Sequence, residues 1–384
     1  MRPGPDHFVC LSDHACLRLL ETPCLYDRKN DELYELNQEG FEALQNCRGH
    51  LRLSQVALEE EFLQTCLEEG LLTLSARPCP RPLALGPSPE PSLRYLELQI
   101  TWRCNLACGH CYLGPARNQD LPVDLIAKTL REFEAMGGLR VLISGGEPLM
   151  HPEWPQVNAL LAALPLRRVV LTNGLLLDEK TLAGLRADEV QISLDGLETG
   201  HDLLRGPGAF EKALAAARLV RRAGLDLSIA TMAHAGNLGE FEGLAGLVQE
   251  LGAREWGIDA PCLAGRLESN PQLAVTPKQA ASVMGLAFGG AYHGGSAGMA
   301  CGLHLCTVAA DATVAQCGFF LKDPLGRAEE GLWTCWSRRT PVSLCEIAEC
   351  RACEFAEDCA GGCRFRAPDP RRPDPVMCAF FGKG

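Results

Sequence analysis

The sequence predicts an α/β protein: a partial (β/α)6 barrel, with a winged-helix-like α+β unit before it and a cysteine-rich segment after it. Three observations carry this expectation. Strand-like and helix-like segments alternate six times between Tyr95 and Ile258. A proline-rich stretch from Arg77 to Ser92 separates that region from what precedes it. Ten of the chain's 20 cysteines fall between Cys301 and Cys378. At ~150 residues per domain, 384 residues make two or three domains. The divisions read as 1–76, a linker at 77–92, 93–275 and 276–384.

Composition narrows the function classes. The chain is 47% apolar and 22% charged, enough for a sizeable core. It holds no apolar run long enough for a membrane helix. Its opening residues, MRPGPDHFVCLSDH, lack the apolar segment of a secretory signal. A cytoplasmic protein with no membrane partner is expected. The net charge of −12 argues against a nucleic-acid partner, which would need an excess of Lys and Arg. Cysteine density in such a chain points to metal binding or redox chemistry.

Taken in order, Leu17 to Leu36 reads as short strands around a turn at Arg28-Lys29-Asn30-Asp31. Asn37 can cap a helix over Glu39 to Asn46. A second helix is expected over Leu58 to Glu69, stopped by Gly70. Six prolines between Arg77 and Ser92 leave only a semi-rigid linker. Barrel strands are expected at Leu96 to Thr101, Arg140 to Ser144, Val169 to Thr172, Val190 to Leu194, Leu227 to Thr231 and Trp256 to Ile258. Helices are expected at Val123 to Met136, Trp154 to Leu164, Glu179 to Leu185, Phe210 to Ala223 and Leu238 to Leu251. Pro122 suits a first helical turn and Asn237 an N-cap. A parallel sheet of this kind puts chemistry at the carboxyl ends of its strands. After Thr276 a helix to Phe288 leads into a glycine-rich stretch. The tail beyond has few long apolar runs, so metal is the natural means of holding it together.

Cys104, Cys108 and Cys111 follow the first barrel strand with the spacing CxxxCxxC. Three thiolates on one loop can hold three irons of a 4Fe–4S cubane and leave the fourth open to a small molecule. A zinc site completed by His110 is the alternative on spacing alone. The run CNLACGHCY resembles the signature loop of the radical S-adenosylmethionine (SAM) superfamily. That resemblance implies that the open iron chelates the methionine end of SAM, and that one electron from the cluster cleaves SAM to a 5′-deoxyadenosyl radical. Later segments fit in order. Gly145-Gly146-Glu147-Pro148 resembles the family's GGEP motif, in which Glu147 can accept from an ammonium group. Thr172-Asn173-Gly174 ends the third strand. By resemblance Ser193 and Asp195 lie near the SAM ribose, Arg205 of HDLLRG faces the carboxylate, and Tyr112 lies near the adenine. The resemblance covers about Tyr95 to Gly265.

The tail reads Cys350-x2-Cys353-x5-Cys359-x3-Cys363, with Cys378 beyond and Cys301, Cys306 and Cys317 upstream. It resembles the SPASM extension of radical SAM enzymes, which holds two auxiliary 4Fe–4S clusters. Three clusters with one open corner would then use all eleven of these cysteines. The family pattern groups Cys301, Cys306, Cys317 and Cys363 on the nearer cluster, and Cys350, Cys353, Cys359 and Cys378 on the farther. Two departures stand out. Ala312 replaces the usual glycine five residues before Cys317, and the short Cys306–Cys317 spacing puts Cys306 in question as a ligand. Cys10, Cys16 and Cys24 with His14 form a further candidate metal group. Cys345 has no evident role.

Ten acids between Asp31 and Glu69, against Arg48 and Arg52, would repel a phosphate backbone. The front unit instead resembles the peptide-binding domain related to the pyrroloquinoline-quinone peptide chaperone. Residues 1–76 would then capture the leader of a precursor peptide by strand addition. The resemblance implies an enzyme that modifies a ribosomally made peptide by crosslinking, epimerisation or oxidation, with flavodoxin or ferredoxin as external reductant. The alternatives are maturation of a porphyrin or other small cofactor precursor, and formylglycine formation. Formylglycine formation usually goes with an Asp where Gly318 stands here.

Overall fold

A computed structural model describes residues 6–83, 85–290 and 298–383. Most of the glycine-rich run after Phe288 falls on 291–297, outside the described residues.

The front unit runs β1 (Phe8–Leu11), β2 (Ala15–Leu19), β3 (Pro23–Asp27), β4 (Glu32–Glu35), α1 (Gln38–Asn46), β5 (Arg48–Arg52), α2 (Glu60–Glu68) and β6 (Leu72–Ser75). The expected β2–β4 meander is present. Asp27 Oδ1 accepts from the Lys29 and Asn30 amides and shapes the turn. Asn37 caps α1 by accepting from the Gly40 amide at 2.8 Å. A second sheet, ordered β5-β1-β6, was not foreseen. Its β5, RGHLR, has almost no apolar signal. The two sheets enclose a small core around Leu17, Leu25, Phe41, Leu44 and Leu72.

The barrel follows: β7 (Tyr95–Thr101), α3 (Val123–Ala135), β8 (Arg140–Gly145), α4 (Trp154–Leu161), β9 (Arg167–Thr172), α5 (Glu179–Gly184), β10 (Glu189–Ser193), α6 (Glu198–Arg205), α7 (Ala209–Arg222), β11 (Asp226–Met232), α8 (Phe241–Glu250) and β12 (Glu255–Asp259). All six expected strands are present and pair in parallel. Leu96, Leu98, Ile100, Val141, Ile143, Ile192 and Ile229 join one core with α3, α7 and α8. The alternate residues on the inner face include Glu97, Gln99, Ser144, Gln191 and Ser193. A filled barrel would carry branched apolar residues there, so polarity at these positions marks a cavity.

Two local expectations are corrected. The segment His201–Arg205 lies on helix α6, which propensity did not reveal. Asn237 makes no cap for α8, because its Oδ1 already accepts from His234 N at 2.8 Å while its Nδ2 donates to Asp195 O and Met232 O at the strand ends.

The tail contains α9 (Pro277–Met284), β13 (Leu305–Val308), β14 (Thr313–Ala315), β15 (Gly326–Arg327), α10 (Leu332–Trp336), α11 (Ala356–Cys359) and α12 (Pro375–Phe380). β13 adds in parallel to β7, and β14 and β15 follow antiparallel, giving a nine-stranded sheet ordered β12-β11-β10-β9-β8-β7-β13-β14-β15. Ala312, at the β13–β14 turn, has φ +68°. That left-handed conformation is the physical reason a glycine would suit this position. Among the described residues no helix is long and apolar enough to cross a membrane.

The front unit docks on the barrel at the amino ends of its strands, away from the carboxyl ends. Arg167 donates to the carbonyls of Arg28 and Lys29. It also pairs with Glu189 at 2.8 Å, Asp226 at 2.7 Å and Asp31 at 3.5 Å. Arg140 joins Asp31 and Glu189 at 3.2 and 2.9 Å. Removing one member of so buried a group strands the others, at a cost of about 3–5 kcal/mol. Arg167→Met is therefore expected to lower the unfolding free energy by about that amount in anaerobic urea titration. A loss under about 1 kcal/mol would show that the cluster is screened like a surface pair.

Candidate active site

The cysteine loop leaves β7 at Thr101 and returns across the top of the barrel. Its path is set by direct backbone contact with the end of β8. Gly146 N donates to Thr101 O at 2.8 Å, and Glu147 N donates to Arg103 O at 2.8 Å. A Cβ on Gly146 would stand 2.3 Å from Arg103 O and 3.0 Å from the Cys104 side chain, so only glycine fits. On the other side, Gly109 N donates to Leu204 O at the end of α6.

Beneath the loop is a cavity of about 230 Å3. Cys104, Cys108, Cys111, Tyr112, Gly145, Gly146, Thr172, Asn173, Ser193 and Arg205 line it, and Glu97, Ser144 and Gln191 enter from the barrel's inner face. Sequence reasoning missed these last three. For Glu97 the signal was the alternation in Leu96-Glu97-Leu98-Gln99-Ile100, whose polar positions face inward. Glu97 accepts from Ser144 Oγ and, across the added strand, from Thr307 Oγ1, both at 2.7 Å. Tyr112 OH accepts from Gln99 Nε2 at 3.0 Å, and its ring packs on Phe319 with centroids 4.4 Å apart.

Arg205 lies between two groups. Its guanidinium pairs with Asp195, and Nη1 reaches Cys108 Sγ at 3.8 Å. Burial works to raise Asp195, but Arg205 prevails and holds it down at about 2. Asp195 also accepts from Met232 N at 2.7 Å. It therefore sits behind Arg205 and ties β10 to β11, whereas Ser193 lines the cavity. Burial pushes His110 and His201 down to about 4, so both are neutral near pH 7. His110 Nδ1 is buried without a partner among the described residues.

Glu147 is placed differently from expectation. Its carboxylate is fully buried and turns away from the cavity toward β9, where it accepts from Thr172 Oγ1 at 2.8 Å, Asn173 N at 2.9 Å and Leu149 N at 3.3 Å. It joins the ends of β8 and β9, and the glycines before it provide the cavity wall. Pro148 opens a short turn, Pro148–Met150, and is also buried off the cavity.

The donor set fits an iron–sulfur group. Burial pushes the Cys104 thiol up to about 11, so it keeps its proton until a metal displaces it. Among the described residues no three His, Cys, Asp or Glu side chains converge closely enough for a single metal ion. A cubane spreads its ligands around a larger body.

In the tail, Cys350, Cys353, Cys359 and Cys378 lie within electrostatic reach of one another. Cys301, Cys317 and Cys363 form a second such group. Cys306 is fully buried in the main apolar core, which also holds Cys335. The candidate metal group in the front unit is not assembled. Cys10 faces Cys79 O, Cys16 faces Pro165 O, Cys24 faces Thr22 O, and His14 lies 3.8 Å from Asp27.

Residues 98–248 match the family model described as the Radical SAM superfamily. Over these residues the chain carries a radical SAM domain. It is 31% identical over 214 residues to an AdoMet-dependent heme synthase of Oleidesulfovibrio alaskensis, covering 53% of this chain and 54% of that protein. A protein of the same name from Methanosarcina barkeri is 29% identical over 323 residues, covering 71% of this chain and 92% of that one. A PqqA peptide cyclase of Gluconobacter oxydans is 34% identical over 174 residues, covering 43% and 48%. The chain thus spans about half the length of the first and third of these relatives. In fold it is similar to Streptococcus suis SuiB, solved bound to precursor peptide SuiA, with TM-score 0.68 and 16% identity over 96% of this chain and 99% of that one.

Burial pushes the Glu147 carboxyl up to about 7, against the hydrogen bonds of Asn173 and Thr172. The folded protein therefore keeps this proton longer than the unfolded chain does. The stability it contributes is full below about 4.5 and is lost as pH rises through about 7. Between pH 5 and 8 the anaerobic urea midpoint should fall more steeply in the wild type than in Glu147→Gln. Parallel curves would contradict this.

Proposed function

We propose that this enzyme cleaves SAM reductively and uses the resulting radical to modify a ribosomally made peptide. The observation that carries the SAM half is one cavity where CxxxCxxC, the GGEP glycines, Asn173, Ser193 and Arg205 converge above a polar inner barrel face. When bound, the cluster held by Cys104, Cys108 and Cys111 supplies the electron for cleavage. The chain's own residues do the rest. Arg205 keeps positive charge beside Cys108 and, backed by Asp195, meets the SAM carboxylate. The Tyr112 ring closes the cavity where the adenine would lie. Glu147 fixes the Thr172–Asn173 turn, and Ser193 offers a hydroxyl toward the ribose. Glu97, Gln99 and Gln191 bind polar substrate groups deeper in the barrel. The tail's thiol groups hold two auxiliary clusters, which act as an electron relay or a staple, and flavodoxin or ferredoxin is the external donor. A cytoplasmic location follows from that electron supply.

Support for a peptide substrate comes from the front unit. Among the described residues β4 pairs with β3 alone, so its outer edge is open. Leu36 N donates to Pro23 O; by alternation Leu33 and Glu35 turn their amides outward, ready for an added strand. The surrounding Glu32, Glu35, Glu39 and Glu42 favour a leader carrying Lys or Arg. The fold likeness to SuiB spans this unit as well as the barrel.

A second reading, a porphyrin-type substrate, is favoured by the heme synthase relatives, one of them matched along 92% of its length. Formylglycine formation fits less well. Gly318 stands where the usual carboxylate would be, and a side chain there would have to displace Gln99 Nε2 at 2.6 Å and Tyr112 OH at 2.7 Å.

Co-expression with a short peptide encoded beside the gene, followed by its mass, tests the proposal. A loss of two hydrogens marks oxidation or crosslinking, and an unchanged mass with altered stereochemistry marks epimerisation. An unmodified peptide together with conversion of a porphyrin would favour the second reading. Cys104→Ala should abolish 5′-deoxyadenosine formation, whereas Cys353→Ala should retain part of it yet give no product. Full SAM cleavage by Cys104→Ala would overturn the site assignment. Glu35→Pro removes one outward amide and should weaken precursor binding roughly tenfold while leaving SAM cleavage intact. Unchanged affinity would remove the strand-addition mode.

A further inference from the structure

Cys301, Cys317 and Cys363 form a three-thiol group, and a closed cubane needs a fourth ligand. Cys306, the fourth by spacing, is within electrostatic reach of Cys317, but its strand turns it the other way. Its neighbour Thr307 turns inward to Glu97, and successive strand residues face opposite ways. Cys306 is thereby directed outward, into the apolar layer that also contains Leu96, Val308 and Cys335.

A different cysteine reaches the group. Cys262 lies in the loop leaving β12, buried to 6% exposure. That loop is fastened to the tail by one guanidinium. Arg366 donates to Ala260 O at 3.0 Å, pairs with Asp259, and holds Asp374 Oδ2 at 2.8 Å. The same Asp374 oxygen accepts from Cys363 N at 2.9 Å. The backbone two residues before Cys262 and the backbone of Cys363 are thus tied to one ion pair. The two thiols lie near enough to interact with each other.

Given the reading that the tail binds auxiliary clusters, we propose that Cys262 is the fourth ligand of the cluster held by Cys301, Cys317 and Cys363, and that Cys306 ligates no cluster. The cluster then joins the loop after the last barrel strand to the segments around β13 and β14. It becomes a link between barrel and tail as well as a relay. Metal binding replaces four thiol protons by bonds to iron and changes no oxidation state of sulfur.

The test uses anaerobically purified full-length protein, with iron and sulfide per chain, low-temperature EPR of the reduced state, and Mössbauer spectra. The wild type should carry about twelve irons. Cys262→Ala should lower iron and alter one auxiliary signal, and Cys306→Ala should change neither. Cys262→Asp supplies an oxygen ligand; it should keep about twelve irons but shift the Mössbauer signature of one site. This variant guards against a mere folding defect in Cys262→Ala. Loss of a cluster in Cys306→Ala with retention in Cys262→Ala would overturn the assignment. So would full iron and unchanged spectra in all three variants, or a Cys262–Cys363 disulfide in protein with full iron. A wild type with only about four irons would instead refute the two-cluster reading of the tail.

Discussion

The backbone contact between the cysteine loop and the end of the second barrel strand governs the site. Gly146 lies against Arg103 with no space for a side chain, and the Gly146 and Glu147 amides are consumed by Thr101 and Arg103. The loop cannot rise off the barrel without losing both bonds. Three thiols are therefore held over one cavity before any metal arrives, which lowers the ordering cost of binding. Glu147 extends the same constraint sideways, because its buried carboxylate fastens β8 to β9 through Thr172 and Asn173. Asp195 does the equivalent between β10 and β11 and adds Arg205.

The two faces of the barrel sheet divide the work. The outer face is apolar and packs under helices, so it supplies the stability. The inner face is polar, and its groups satisfy one another, as Glu97 does with Ser144 and Thr307. Such a lining binds a polar ligand at the expense of core packing. β13 extends the sheet past β7, and its Thr307 holds Glu97 in place, so the tail braces the cavity lining. At the opposite end of the strands, the Arg140–Arg167–Glu189 group anchors the front unit through Asp31 and leaves the β4 edge open.

Much of this was legible in the sequence because its signals are local. CxxxCxxC, GGEP and the strand–helix alternation each need only a few adjacent residues, and the barrel strands fall where the apolar runs place them. Three things were not legible. β5, RGHLR, is a strand by virtue of its partner and not its own composition, and the pairing of β13 with β7, more than 200 residues away, is not a local signal. The direction of Glu147 depends on the Thr172 and Asn173 groups it meets, 25 and 26 residues on. The direction of the Cys306 side chain depends on strand parity, which spacing alone cannot report. The inner polar positions were visible as an alternation in Leu96-Glu97-Leu98-Gln99-Ile100, but only the curvature of the sheet shows that they enclose a cavity.

The most direct measurement of the central claim is the EPR spectrum of the reduced, anaerobic protein with and without SAM. A cluster gripped by Cys104, Cys108 and Cys111 alone has one iron free for SAM. Its signal should shift on SAM addition, and methionine labelled with 15N at its amino group should add a nitrogen coupling. A spectrum indifferent to SAM, or zinc in place of iron at this loop, would contradict the account.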